Sequence, residues 1–180
     1  MVKSENKLNL KKKRIGILGG SFDPAHKGHL KISKEAIKRF NLQKLIWAIT
    51  KKNPFKNIIE NNLKKRIIKC QKVIKKNRLI KVKYYEDLIK SNKTIDLINH
   101  LYKNKKTKLF FLMGADNLIN FHKWHQWKSI SKKCNILVFD RTKYKSKSLN
   151  SLAFKKLKNE GLKFINFKKV NISSSKLRKI

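Results

Sequence analysis

Short apolar runs alternate along the chain with stretches in which apolar residues recur every three or four positions. The runs predict buried strands, and the periodic stretches predict amphipathic helices. The predicted strands are Ile15–Gly19, Leu45–Thr50, Leu79–Val82, Lys108–Gly114, Asn135–Asp140 and Leu162–Phe167. The predicted helices are Leu30–Phe40, Leu63–Lys76, Ile95–Tyr102, Ala115–Ile119, Trp124–Ser131 and Leu149–Leu157. This alternation predicts an α/β fold that is Rossmann-like and doubly wound, with a mostly parallel sheet and helices on both faces.

The length of 180 residues suits one compact domain. We expect a basic N-terminal tail over residues 1–13 and a single domain over residues 14–180. The tail lacks the apolar run of a signal peptide, and no stretch of the chain has the length and apolar character of a membrane span. A cytoplasmic protein without membrane contact is therefore expected. The two cysteines, Cys70 and Cys134, are far apart and are expected to be reduced.

The chain is strongly basic, with 48 Lys and Arg against 10 Asp and Glu and a formal net charge of +38. Such a charge can indicate a nucleic-acid-binding protein. Here the lysines are spread over the whole length, and abundant lysine, asparagine and isoleucine are typical of a genome poor in G and C. We therefore expect no specific nucleic-acid partner, only weak attraction at low salt.

The first predicted strand ends in glycines and leads into two histidines three residues apart, His26 and His29. Glycines let the backbone turn and approach a ligand closely. The histidines fall at the predicted start of a helix, where free amides attract anions. Imidazole and amide donors are therefore expected to point at one phosphate site. The spacing fits neither of the common glycine-rich phosphate loops.

The whole segment resembles the G-G-[ST]-F-D-P-x-H-x-G-H signature of the nucleotidylyltransferase superfamily. These enzymes transfer a nucleotidyl group from a nucleoside triphosphate to a phosphate or similar acceptor. The resemblance implies that His26 and His29 are catalytic. It implies ATP or phosphate contacts for Gly19, Gly20, Ser21, Phe22 and Gly28, whereas Asp23 organises the loop or contacts the acceptor.

A second block, from Phe110 to Trp127, again begins as a strand that ends in glycine and an acid. It resembles the G-A-D-N-L…F-x-x-W-x-x-W segment of the bacterial nicotinate-nucleotide adenylyltransferase family. The resemblance implies ATP and nicotinate mononucleotide as substrates, with deamido-NAD and pyrophosphate as products. It places Asp116, Trp124 and His125 at the nicotinate mononucleotide, with Trp124 stacked on the pyridine ring. An ordinary core position is the alternative for Trp124 and more so for Trp127.

Two further segments match the family more briefly. The C-terminal segment Ile172–Arg178 matches I-S-S-[ST]-x-[IL]-R, which implies a catalytic Arg178 and phosphate contacts from Ser173, Ser174 and Ser175. Lys56, in the loop after the second strand, matches the basic residue that meets the acceptor phosphate. A solvated surface lysine is the alternative at that position.

Ser91–Asp96 resembles the S-[YF]-[ST]-x-[DE]-T-type segment that frames the nicotinate ring in the family. Thr94 is expected to cap the following helix and to lie near nicotinate mononucleotide. Asn92 stands where the family has an aromatic residue. Tyr84 or Tyr85 is a possible substitute for the missing wall of the pocket.

The repeated His-x-x-His spacing raises zinc as an alternative, but no cysteine or glutamate pattern accompanies it, so no metal ligand is assigned. We expect Mg²⁺ held mainly through the ATP phosphates. Another nucleotidyltransferase of this fold, such as a pantetheine-phosphate adenylyltransferase or a cytidylyltransferase, remains open. So does a non-catalytic nucleic-acid-binding protein. The sequence leaves monomer and homodimer open as well.

Overall fold

The computed structural model describes residues 12–51, 61–75, 77–102 and 107–166. Within these ranges the strands are β1 (Lys13–Gly20), β2 (Lys44–Ile49), β3 (Ile80–Tyr84), β4 (Thr107–Gly114), β5 (Cys134–Phe139) and β6 (Leu162–Ile165). They form one sheet in the order β3-β2-β1-β4-β5-β6. Every neighbouring pair is parallel, which confirms the expected doubly wound sheet. The strand order reverses direction between β1 and β4, and ligands bind at such switch points in this class of fold.

The helices of the described ranges connect successive strands and cover the sheet. They are α1 (Lys27–Phe40), α2 (Leu63–Ile74), α3 (Glu86–Ile89), α4 (Thr94–Leu101), α5 (Ala115–Ile119), α6 (Trp127–Lys133), α7 (Lys145–Leu149) and α8 (Leu152–Leu157). A 3₁₀ turn at Phe121–Lys123 lies between α5 and α6. None of these helices combines the length and the apolar character that crossing a bilayer demands.

Two hydrophobic layers, one on each face of the sheet, form the core. On β4 the side chains alternate, so Phe111 and Met113 join one layer and Phe110 and Leu112 join the other. The Phe111 layer includes apolar residues of α4, α5, α6 and α8, and the Phe110 layer includes those of α1 and α2. Both faces of the sheet are therefore covered, as the near-continuous apolar strands predicted.

One predicted helix begins late in the structure and another is divided, while α3 and all of α7 except Leu149 were not predicted. In the stretch predicted as Trp124–Ser131, Trp124 is extended, Gln126 is left-handed at φ 50°, and α6 begins only at Trp127. The stretch predicted as Leu149–Leu157 is divided because Ser151 caps a new helix by accepting the Phe154 N–H at 3.2 Å. Apolar spacing continued across both breaks, so periodicity alone did not reveal them.

Both cysteines are buried and unpaired in the core. Burial raises the pKa of Cys70 to about 12, against an opposing effect of the nearby Arg66. Burial also raises the pKa of Cys134 to about 12. A raised thiol pKa keeps the neutral, unreactive form dominant throughout the neutral and mildly alkaline range.

We therefore expect the native protein to react negligibly with a thiol-specific dye at pH 8, because both thiols are buried and protonated. Two thiols per chain should react once the protein is unfolded in denaturant. Absorbance of the released dye measures both values. Rapid reaction of either thiol in the native state would contradict the burial described above.

Candidate active site

The loop between β1 and α1 contains a buried aromatic residue, Phe22. Phe22 adopts a left-handed backbone at φ 49°, and its side chain is 2% exposed. Its ring stacks on Trp47, with ring centroids 4.9 Å apart and planes 13° from parallel. A left-handed backbone is uncommon for a bulky residue. The stacked, fully buried ring stabilises it here and fixes the course of the loop.

His26 and His29 cap the first turn of α1 reciprocally. His26 is the N-cap residue, and its Nδ1 accepts the Gly28 N–H at 3.1 Å. The Nδ1 of His29 accepts the His26 N–H at 3.2 Å. The two ring centroids are 3.8 Å apart. Because each Nδ1 is an acceptor, the proton of each neutral ring is on Nε2, which makes Nε2–H the hydrogen-bond donor.

This arrangement corrects one expectation about the helix N-terminus. The Gly28 N–H is engaged by His26, and the His29 N–H donates to the His26 carbonyl at 3.0 Å. The predicted free amides at these two positions are therefore used within the cap.

Trp47 of β2 contacts the His29 ring and is linked to the His29 backbone through Ser33. Its edge faces His29 with ring centroids 5.9 Å apart, and Phe22 lies 4.9 Å from the same imidazole. Trp47 Nε1–H donates to Ser33 Oγ at 2.8 Å, and Ser33 Oγ–H donates to the His29 carbonyl at 2.8 Å. The imidazole and the backbone of His29 are thus both held by buried neighbours.

Asp23 is buried, with 1% exposure, and its Oδ1 accepts the Asn61 Nδ2–H at 2.7 Å. This bond ties the β1 loop to the turn before α2. Of the two roles considered for Asp23, organisation of the loop has the direct geometric support.

The carboxyl end of β4 brings Asp116 to the neighbouring edge of the sheet. Asp116 Oδ1 lies in the space that a Cβ on Gly114 would occupy, so a larger residue at position 114 would displace this carboxylate. Asp116 Oδ2 forms an ion pair with Arg141 Nη1 at 2.5 Å. Asp116 Oδ1 is buried and has no hydrogen-bond partner among the described residues.

Arg141 is a residue that the sequence analysis missed. It follows directly after the predicted fifth strand, and parallel strands deliver such positions to one edge of the sheet. That position was the available signal. In a chain with 48 Lys and Arg, charge alone did not distinguish Arg141 from solvated neighbours.

Trp124 is half-buried. It touches Phe111 edge-on, with ring centroids 5.9 Å apart, and Phe121 at 5.3 Å. The Phe111 ring also lies under Gly19, whose added Cβ would be 3.3 Å from Phe111 Cζ. A single phenylalanine ring therefore joins the two segments that carry the sequence motifs. The neighbouring His125 is exposed in the turn before α6.

The segment before α4 differs from its prediction. Thr94 is the first helical residue, Lys93 occupies the N-cap position, and no side chain caps the helix. The expectation that Thr94 caps α4 was therefore wrong. Instead, Ser91 Oγ–H donates to Asp96 Oδ2 at 2.6 Å and Ser91 Oγ accepts the Lys93 N–H at 3.1 Å. These bonds order the turn locally.

Of the two tyrosines considered as a wall of the pocket, Tyr84 is on the same side as Asn92. Both line an open surface depression beside the ends of β2 and β3. Tyr84 donates its hydroxyl to Asp87 Oδ1 at 2.8 Å. Tyr85 instead packs against the core and the ring of His100 at 5.6 Å, and burial raises the pKa of Tyr85.

Five predicted site residues lie outside the described ranges: Lys56, Ser173, Ser174, Ser175 and Arg178. Within the described ranges, no three His, Cys, Asp or Glu side chains form a cluster that could hold a metal ion.

Comparison with known proteins gives consistent results. The model of the cytidylyltransferase-like family matches residues 17–180. A probable nicotinate-nucleotide adenylyltransferase of Pelagibacter ubique is 65% identical over the full length of both chains. One from Bradyrhizobium sp. strain ORS 278 is 37% identical over 146 residues, which cover 80% of this chain and 76% of that one.

Among solved structures, the nicotinic acid mononucleotide adenylyltransferase of Plasmodium falciparum complexed with NaAD has a TM-score of 0.74. It is 20% identical, and the match covers 93% of this chain and 83% of that chain. This likeness supports the fold. With the family model matched across the β1 loop, the sheet and the C-terminal motif, the chain belongs to the cytidylyltransferase-like family.

Proposed function

We propose that the protein is a nicotinate-nucleotide adenylyltransferase, which transfers AMP from ATP to nicotinate mononucleotide and yields deamido-NAD and pyrophosphate. The observation that carries the proposal is the meeting of the two motif segments at the switch point, where the Phe111 ring lies beside Gly19 and contacts Trp124 edge-on. A phosphate-binding loop and an aromatic ring for the acceptor base thus share one edge of the sheet. The full-length likeness to a probable nicotinate-nucleotide adenylyltransferase supports the same activity.

The reaction needs alignment and charge stabilisation more than proton transfer. A phosphate oxygen of nicotinate mononucleotide attacks the α-phosphorus of ATP, and the bond from that phosphorus to the α,β-bridging oxygen breaks to release pyrophosphate. The attacking phosphate is already an anion at pH 7, so no general base is required. Nε2–H of His26 and His29 donates to phosphate oxygens on which negative charge develops.

The residues outside the described ranges complete this proposal. Arg178 would pair with two phosphate oxygens through its planar guanidinium, and Ser173, Ser174 and Ser175 would donate to the same triphosphate. Lys56 would meet the acceptor phosphate. Gly20 and Ser21 belong to the loop that approaches the triphosphate, and Thr94 and His125 border the acceptor.

We propose Mg²⁺ as the cation, held mainly by the ATP phosphates. Two carboxylates near the site already have partners, because Asp23 is hydrogen-bonded to Asn61 and Asp116 is paired with Arg141. The proposal therefore places the cation on the phosphates and not on these side chains. Neither forms part of a cluster that could hold a cation by itself. When bound, the cation would neutralise part of the phosphate charge.

Pyrophosphate release with three acceptors tests the function. ATP is supplied with nicotinate mononucleotide, nicotinamide mononucleotide or phosphopantetheine, and nicotinate mononucleotide should give the highest kcat/KM. Preference for phosphopantetheine would identify a different adenylyltransferase of this fold. Absence of release with all three, combined with tight and selective nucleic-acid binding at physiological salt, would favour the nucleic-acid alternative.

Trp124→Ala should raise the KM for nicotinate mononucleotide by roughly tenfold, because it removes the proposed stacking surface. The KM for ATP should change little. Initial rates of pyrophosphate release, with each substrate varied in turn, measure both constants. Trp124→Phe is the matched control, since it keeps a flat ring. An effect confined to ATP would place the tryptophan on the wrong substrate.

A further inference from the structure

Arg66 of α2 is a fully buried arginine, with 1% exposure. Its guanidinium donates four hydrogen bonds, and all four acceptors are backbone carbonyl oxygens. Nε donates to Asn61 O at 3.0 Å, Nη1 to Ser21 O at 2.7 Å and Thr50 O at 2.8 Å, and Nη2 to Lys51 O at 3.0 Å. All three nitrogens of the planar group are therefore engaged at once.

The four carbonyls belong to three segments that meet at the carboxyl edge of the sheet. Ser21 lies in the β1 loop, Thr50 and Lys51 follow β2, and Asn61 precedes α2. The β1 loop and the β2 end are also joined directly, because the Thr50 N–H donates to Gly20 O at 3.0 Å. One side chain thus fastens the loop that precedes the histidines to its two neighbours.

Asn61 extends the connection to Asp23. Its carbonyl accepts from Arg66 Nε, while its side-chain amide donates to Asp23 Oδ1 at 2.7 Å. Burial lowers the pKa of Arg66, and the charge of Asp23 acts in the opposite direction. The segment Ser21–Asp23 is therefore held at both ends. Arg66 binds the Ser21 carbonyl, and the Asp23 carboxylate, three residues before His26, binds the Asn61 side chain.

We propose that Arg66 is a positioning residue for AMP transfer, which fixes the Ser21–Asp23 backbone and thereby places His26 and His29. The kinetic part of this inference rests on the proposed function. Arg66 touches no reacting atom, so it acts only through the loop. A buried arginine with an ordinary stabilising role would bind carbonyls anywhere in the core. These four carbonyls all lie at the carboxyl edge of the sheet, and that of Ser21 belongs to the loop that precedes the histidines.

The first test is amide hydrogen exchange of the substrate-free protein. Arg66→Met keeps much of the apolar volume but removes the donors, and exchange over residues 20–26 should be faster, while exchange in β4 and β5 stays unchanged. Arg66→Lys keeps the charge but has one nitrogen in place of three, so its exchange should be intermediate. Arg39→Met, at an exposed arginine of α1, is the matched control and should leave the loop unchanged.

The second test is kinetic and is run below the melting temperature of each variant. Arg66→Met should lower kcat by about 10- to 100-fold, the scale expected for misplaced catalytic groups, with Arg66→Lys recovering part of the loss. A double-mutant cycle with His29→Gln separates positioning from general destabilisation. Once His29 is removed, Arg66→Met should cost a much smaller factor.

Equal factors in both backgrounds, or unchanged loop exchange in both Arg66 variants, would overturn the inference. If Arg66→Met does not fold, the comparison of Arg66→Lys with Arg39→Met decides the same question. A wild-type protein that releases no pyrophosphate from ATP and nicotinate mononucleotide would contradict the proposed function alone. The exchange result would still decide whether Arg66 controls the loop.

Discussion

His29→Ala is expected to lower kcat for pyrophosphate release by about 100-fold or more, the scale for losing one preorganised donor to developing charge. The fold should survive, because His29 is only half-buried and its neighbours Phe22 and Trp47 pack against each other without it. Stopped or continuous pyrophosphate assays give kcat, and circular dichroism checks folding. A kcat near that of wild type would remove His29 from the catalytic machinery.

Alanine also removes the acceptor that His29 provides for the His26 N–H, so a second variant is needed. Glutamine at this third helical position can reach back to the N-cap amide, as in a capping box. His29→Gln therefore preserves the cap and removes only the imidazole. If His29→Gln lowers kcat as much as His29→Ala, the effect belongs to the imidazole and its Nε2–H. If glutamine restores kcat, the contribution of His29 is only that of a helix cap. His100→Ala serves as a histidine control outside the site.

Trp47→Ala should lower the free energy of unfolding by about 3–5 kcal/mol, as expected when a fully buried aromatic residue is truncated. Trp47 is completely buried, stacks on Phe22 and donates to Ser33. Domains of this kind are stable by only about 5–15 kcal/mol, so the change is large. Urea unfolding followed by circular dichroism measures it.

Trp47→Phe separates the ring from its hydrogen bond. Phenylalanine keeps a ring against Phe22 but loses the donor to Ser33, so the cost should be about 1–3 kcal/mol. If Trp47→Ala lowered the free energy of unfolding no more than a substitution at an exposed residue does, that result would contradict the packing described for Trp47. Activity of the folded fraction should also fall in Trp47→Ala, because the same ring supports His29.

The fold could be predicted because its signals are local and repeated. Six apolar runs separated by helical spacing leave few arrangements other than a parallel doubly wound sheet. The strand bounds agree to within a few residues, whereas α1 begins at Lys27, before the predicted Leu30, because His26 is the N-cap residue. The motif positions at the ends of β1 and β4 followed from the same topology.

Other features depend on packing between distant segments and could not be read locally. The break at Trp124 arises where Gln126 turns left-handed, although the apolar spacing is helical on both sides. Arg66 binds four carbonyls at the carboxyl edge of the sheet and Arg141 pairs with Asp116, yet a lysine-rich sequence does not distinguish such arginines. Only burial and the direction of their donors distinguish them from solvated charges.

The pairing of β1 with β4 has a consequence for how the site is assembled during folding. The two strands are adjacent in the sheet, with Leu18 opposite Leu112, but nearly a hundred positions apart along the chain. Such distant pairing is entropically costly and tends to form late. The first half of the chain carries both histidines and Arg66, while the second supplies Phe111 and Trp124. The appearance of activity during refolding would therefore report the moment at which these halves join.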